Sequence, residues 1–120
     1  MTFDWKRYNE LAGFLAKNPA DADLVEACQR SAVSRYYYAA FNHAHAYCQA
    51  KLRYKSEQRA SDHSGVRRAL KGHNGMVALQ LEKLCGWREL CDYRDEVDNL
   101  PNLVAEAAYA SNAVFSLLKR

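Results

Sequence analysis

Proline and glycine are scarce, two and five in 120 residues. That scarcity excludes a collagen-like or low-complexity chain. No apolar run approaches the ~18 residues of a membrane span. The opening MTFDWKRYNE puts Asp4 and Glu10 where a signal peptide would be apolar, so a cytoplasmic protein is expected. Four cysteines, at 28, 48, 85 and 91, form no C-x-x-C pair. Zinc ligands usually come as close pairs, so these read as reduced thiols packed as small hydrophobes. No metal and no other cofactor is expected. Period-two alternation is missing over any length, which leaves no strand pattern.

What is present is helical period. Hydrophobic residues make up 49 % and charged residues 26 %, ordinary for one globular domain spanning 1–120. Trp5, Tyr8, Leu11 and Leu15 stripe a first helix over about 3–17, stopped by Asn18-Pro19. A second helix runs from about Ala22 to Leu52, with Asp21, Asp23 and Glu26 at its positive end. Leu24, Cys28, Ala32, Tyr36, Ala39 and His43 trace one seam. Val25, Val33, Tyr37, Phe41, Ala44 and Cys48 trace the adjoining one, so this helix is expected at the centre. Residues 54–64 lack periodicity and read as a loop. Gly65 to Lys71 suits a short helix, closed by Gly72-His73-Asn74-Gly75. Met76 to Tyr93 is a further helix. Asp98-Asn99-Leu100-Pro101 breaks the chain before a last helix with Lys119 and Arg120 at its negative pole. The fold class is all-α: four long helices plus a short one.

The net charge of +3 is too mild to prove a nucleic-acid partner, but its distribution is uneven. Lys51, Arg53, Lys55, Arg59, Arg67, Arg68 and Lys71 face only Glu57 and Asp62, a local +5 that suits a phosphate backbone. Glu89, Asp92, Asp95, Glu96 and Asp98 face only Arg94, a local −4. On the second helix Arg35, Tyr38, Asn42 and His45 form one polar stripe. Either Arg35 is buried and paired with Asp92 or Asp95, or Arg35 and Asn42 face a site at a bundle end or dimer seam. Arg88, Asp92 and Asp95 at i, i+4 and i+7 can form their own ladder. His43 and His45 point to different faces and do not chelate one metal. His63-Ser64-Gly65 reads as a turn into the short helix, with Ser61 or Asp62 as cap. Tyr36, Tyr37, Tyr38, Tyr47 and Tyr54 offer stacking surfaces for bases, although an aromatic stripe on a central helix is usually core.

The string SRYYYAAFNHAHAY, then HSGV, then a helix ending R-x-x-x-D-Y, then an alanine-rich last helix, resembles the HEPN family from about Val33 to Leu118. The resemblance implies an antiparallel helical bundle that commonly dimerises. It also implies company: a minimal nucleotidyltransferase, or an antiviral or toxin–antitoxin system. Many such proteins look like metal-independent RNases with an Arg, four to six residues, then a His. Imidazole takes the ribose 2′-hydroxyl proton and guanidinium holds the phosphate charge. Here the matching Arg88 is followed after four residues by Tyr93, a poor base near neutrality. A literal Arg-x4-His does occur at Arg68/His73, earlier than the family's place. Two functions are therefore expected. One is a partner subunit with a degenerate RNase motif that docks a nucleotidyltransferase or other defence protein. The other is an RNase effector at a dimeric cleft. Either would be a homodimer or a heteromer.

Overall fold

The computed structural model describes residues 2–18 and 21–119. Within them lie five α-helices and no strand: α1 (Lys6–Lys17), α2 (Val25–Lys51), α3 (Ser61–Lys71), α4 (Gly75–Tyr93) and α5 (Leu100–Leu117). Pro19 and Arg120, read as a helix stop and a helix end, lie outside the described residues.

Helix α2 is the axle, and each of the other four helices packs on it. Its 27 residues span ~40 Å, most of the molecule's 46 Å long axis. Ten of its residues are buried, from Ala32 to Cys48, and both seams run through them. The seams fade at the N-terminal end, where Leu24 is half exposed. There the chain enters through a 3-10 turn, Ala22–Leu24, whose Asp21 carboxylate accepts from the Asp23 N–H. Alanines 32, 39, 40 and 44 let neighbouring helices approach closely, while Tyr36, Tyr37 and Phe41 fill the wider gaps.

Besides the later start of α2, at Val25, two further helix starts differ from the sequence reading. Helix α1 starts at Lys6, and its one buried residue is Ala12, not Leu11, which is 42 % exposed. The face that α1 turns to the bundle carries Ala12 and, one turn earlier, Asn9, which donates to Asn112 of α5 (2.9 Å) and accepts from the fully buried Ser111 hydroxyl (2.6 Å). A small side chain suits that face better than leucine. Helix α3 starts at Ser61, not Gly65. Its first turn is polar, so it carries no apolar period, yet Asp62 there is only 3 % exposed. Asn74 caps α4 by accepting from the Met76 and Val77 N–H groups. Pro101 sits in the first turn of α5, and Asn99 before it is left-handed at φ 52°.

The end of α4 is closed from across the bundle. Arg30 of α2 donates to the carbonyls of Cys91 (3.0 Å), Arg94 (2.6 Å) and Asp95 (2.9 Å). Glu26 stands 3.5 Å from its Nε. A guanidinium on the negative pole of a helix gains from both hydrogen bonds and the dipole. Replacing it, Arg30→Met, is expected to cost ~1.5–3 kcal/mol, the range for bonds to a charged donor. Urea unfolding of the variant checks this; a midpoint unchanged from the parent would show that water replaces the guanidinium at no cost.

Candidate functional site

The site grows from one buried phenol. Tyr37 faces the seam between α2, α3 and α4 with no exposure at all, so its hydroxyl needs a partner inside the protein. His63, in the first turn of α3, supplies it: the Tyr37 hydroxyl and His63 Nδ1 share a short hydrogen bond. The imidazole lies flat on Phe41, centroids 4.3 Å apart at 13°, and nearly parallel to Tyr37. Tyr38 meets it edge-on. Burial and the Cys85 thiol push the Tyr37 phenol up, so it keeps its proton. Burial lowers His63, and the charges of Arg88 and Arg67 lower it further, against a smaller pull upward from Asp62.

Arg88 covers this pair from α4. Its guanidinium carbon lies 5.5 Å from the Tyr37 ring, 5.6 Å from Tyr38 and 5.8 Å from Tyr93. Only 12 % of the side chain is exposed. Nη1 donates to Asp92 (3.2 Å), and Glu89 is 3.8 Å from Nη2. Burial opposes its charge, but Tyr93, Tyr38, Cys85 and Asp92 more than offset that and hold Arg88 above its ordinary value. Tyr93 itself is 74 % exposed.

Below His63, Asp62 ties down the segment before α3. Its carboxylate accepts from the Tyr54 hydroxyl (2.6 Å), the Ser56 hydroxyl (2.8 Å), and the N–H groups of Glu57 (3.0 Å) and Arg59 (3.4 Å). Those donors, the Tyr54 hydroxyl first, hold the carboxyl well below the usual range, and burial with Asp62 pushes Tyr54 up to about 12. His45 stands 3.9 Å away. Tyr54 lies across Gly65, where a Cβ would run into its hydroxyl. Asp62, His63, Gly65 and the fully buried Val66 thus give the D-H-S-G-V stretch its positions, in a helical turn that binds a loop and not in the turn expected there.

The other expected residues fall as follows. Arg35 is not against Asp92 or Asp95; it sits over the rings of Tyr8 (5.0 Å) and Tyr38 (5.2 Å), and those rings take the place of a carboxylate. Asn42 is satisfied on its own helix by the Tyr38 carbonyl, 2.9 Å away. The side chains of Arg88, Asp92 and Asp95 do not form the full ladder: Asp92 pairs with Arg88, and Asp95 offers its carbonyl to Arg30. Arg68 and His73 are not brought together, because His73 bonds the Tyr47 hydroxyl at 3.0 Å. Tyr36 and Tyr37 are buried and cannot stack on bases; Tyr38, Tyr47 and Tyr54 are half-buried. Of the basic set, Lys51, Arg53, Lys55 and Arg59 are exposed. Arg67, Arg68 and Lys71 line a groove of about 720 Å³ between α3 and α4, with Ala78 and Leu79 on its far wall. Among the described residues no group of three or more His, Cys, Asp and Glu could hold a metal ion. Nor, among the described residues, is any helix long and apolar enough to cross a membrane.

No protein-family model, curated protein or solved structure matches this chain.

His63 was the residue that sequence reasoning missed. Extending α3 back to Ser61 puts 63, 66, 67 and 70 on one side of the helix, and that was the available sign. Its titration gives a test. A base whose folded pKa is depressed takes up protons more readily in the unfolded chain. Stability is therefore lost as pH falls through the ordinary histidine value of ~6.5 toward the lower folded one. His63→Gln keeps a partner for Tyr37 without titrating. Its melting temperature should fall less steeply than the parent's between about pH 7.5 and about pH 5.5. Parallel slopes would place the imidazole in solvent.

Proposed function

We propose that the chain is a HEPN-like helical subunit of a prokaryotic defence or toxin–antitoxin system, cytoplasmic, and that it works by binding a partner. The observation that carries this reading is the outer face of α4. Leu79, Gly86, Leu90 and Tyr93 fall within a narrow arc of that helix. The three large side chains are 43, 40 and 74 % exposed, and nothing lies within 4 Å of where a Gly86 Cβ would be. An exposed apolar stripe with a glycine at its middle suits close approach of another helix. The stripe ends at Tyr93, whose ring lies 5.8 Å from the guanidinium carbon of Arg88, a side chain that comes from the opposite side of α4. A nucleotidyltransferase or other defence protein is the heteromeric occupant of the same face. Tyrosine at 93, in the place of the family's histidine, favours docking over cleavage.

A second reading rests on one further observation: the Tyr37 ring that Arg88 covers carries an imidazole on its hydroxyl, and it is His63 from α3. A metal-independent RNase at a dimeric cleft would use it, with Arg67, Arg68 and Lys71 guiding the RNA backbone.

Light scattering at tens of micromolar tests the first reading. The parent is expected as a dimer, or bound to its genomic neighbour, and Gly86→Arg should weaken that association at least about tenfold while leaving the melting temperature nearly unchanged. A monomer that captures no neighbour defeats it. Incubation with single-stranded and structured RNA, with chelator present, tests the second. Tyr93→His restores an Arg-x4-His and should raise any cleavage; intact RNA with parent and variant alike removes the nuclease reading.

A further inference from the structure

The surface along α4 carries opposite charge at its two ends. Beside its N-terminal half, the groove of about 720 Å³ between α3 and α4 is lined by Arg67, Arg68 and Lys71, with Glu82 the acid among them and Ala78 and Leu79 on the α4 side. Nothing lies within 4 Å of where a Gly75 Cβ would be, so the groove is unobstructed there. At the C-terminal end Glu89, Asp92, Asp95, Glu96 and Asp98 are all exposed, with Arg94 exposed among them and Arg88 paired to Asp92.

Gly75, Leu79, Glu82, Gly86 and Tyr93 fall within about 60° of one another around α4. Leu79, in the groove, and the exposed Tyr93 are equally spaced from Gly86 on either side of it, each ~10.5 Å along the helix. A two-fold axis across α4 at Gly86 sets a second copy of the helix antiparallel to the first and exchanges these two positions. Tyr93 of each copy then stands over Leu79 and the groove of the other. The same operation brings each acidic end to the other copy's basic groove, whereas a parallel pairing would set basic against basic and acidic against acidic. A tyrosine suits this groove: its ring body meets Ala78 and Leu79, its face can take a guanidinium, and its hydroxyl can donate to Glu82.

Resting on the reading that the outer face of α4 docks a partner, we propose that this partner is a second copy of the chain. The two α4 helices pack antiparallel with their crossing at Gly86, and Tyr93 of each copy fills the basic groove of the other. Each groove is thus completed by the other copy.

Cross-linking tests the register. Leu79→Cys and Tyr93→Cys are prepared separately, with the parent as control for the native thiols, and treated with a short bis-maleimide. An equimolar mixture should give at least about tenfold more covalent dimer than either variant alone. In a dilution series by sedimentation, Tyr93→Ala and Arg68→Glu should each weaken the parent's association at least about tenfold, while Lys17→Glu, on α1, should not. All three should melt close to the parent. If Leu79→Cys alone cross-links as well as the mixture does, the pairing is parallel and the inference fails. If Gly86→Arg disrupts the dimer but Tyr93→Ala and Arg68→Glu associate as the parent does, the docking face stands and this register is wrong. A parent that stays monomeric and binds its genomic neighbour through α4 keeps the docking reading and rules out the second copy; a monomer that binds neither defeats both.

Discussion

A phenol hydroxyl sealed from water constrains the fold more than any other group in this protein. Tyr37 has no route to water, and α2 around it is packed on every side. Left unpaired, that hydroxyl would cost ~1–3 kcal/mol. Only a polar group brought in from outside α2 can meet it, and that group is His63. Placing an imidazole there requires α3 to begin before it. The first turn of α3 must then descend into the bundle. Asp62 makes this feasible by collecting four donors from residues 54–59, so that a segment without regular structure is pinned to the helix it precedes. Gly65 is part of the same chain of needs, because Tyr54 occupies the space a side chain would fill.

The cations divide by the same logic of what each can reach. Arg30, five residues before Arg35, lies about 140° away around the helix and meets the open carbonyls at the end of α4. Arg35 points toward α1 and finds aromatic faces. Arg88 has acids on one side and rings on the other. Each cation is compensated by a different chemistry: helix-end carbonyls, π faces, or carboxylates. Arg67 has none of these, and that sets it apart from the other half-buried arginines.

Most of the architecture was readable because it rests on apolar period. The doubled seam of α2 named its central place, and the Asn74 and Asn99-Leu100-Pro101 breaks set the limits of α4 and α5. What escaped was polar. The first turn of α3 carries Asp62, His63 and Ser64, so hydrophobic pattern had nothing to register, although two of those side chains face inward or sit half-buried. Leu11 looked like a core residue and Ala12 did not, because the separation of α1 from α2 decides which size fits, and period cannot give a separation. Of the two expectations for Arg35, the one that pairs it with the acidic run rests on charge alone. Attraction says which signs belong together; it does not say which of two arginines on one helix is turned toward the acids.

The same distinction bears on the chemistry. A base and a cation that cooperate on a phosphate need not be neighbours in sequence; they need only converge in space. On α4 the position after Arg88 that would supply an imidazole holds an exposed tyrosine. In space an imidazole stands within electrostatic reach of Arg88, fixed by stacking on Phe41 and by the Tyr37 hydroxyl. That anchoring cuts both ways. It orients the ring at no further entropic cost, which favours binding an anion in a set geometry. It also commits Nδ1 to Tyr37 and holds the ring neutral, so whether Nε2 carries a proton depends on the direction of one shared hydrogen bond. If the phenol donates, Nε2–H is a donor to an anion; if the phenol accepts, Nε2 is a lone pair able to take a proton.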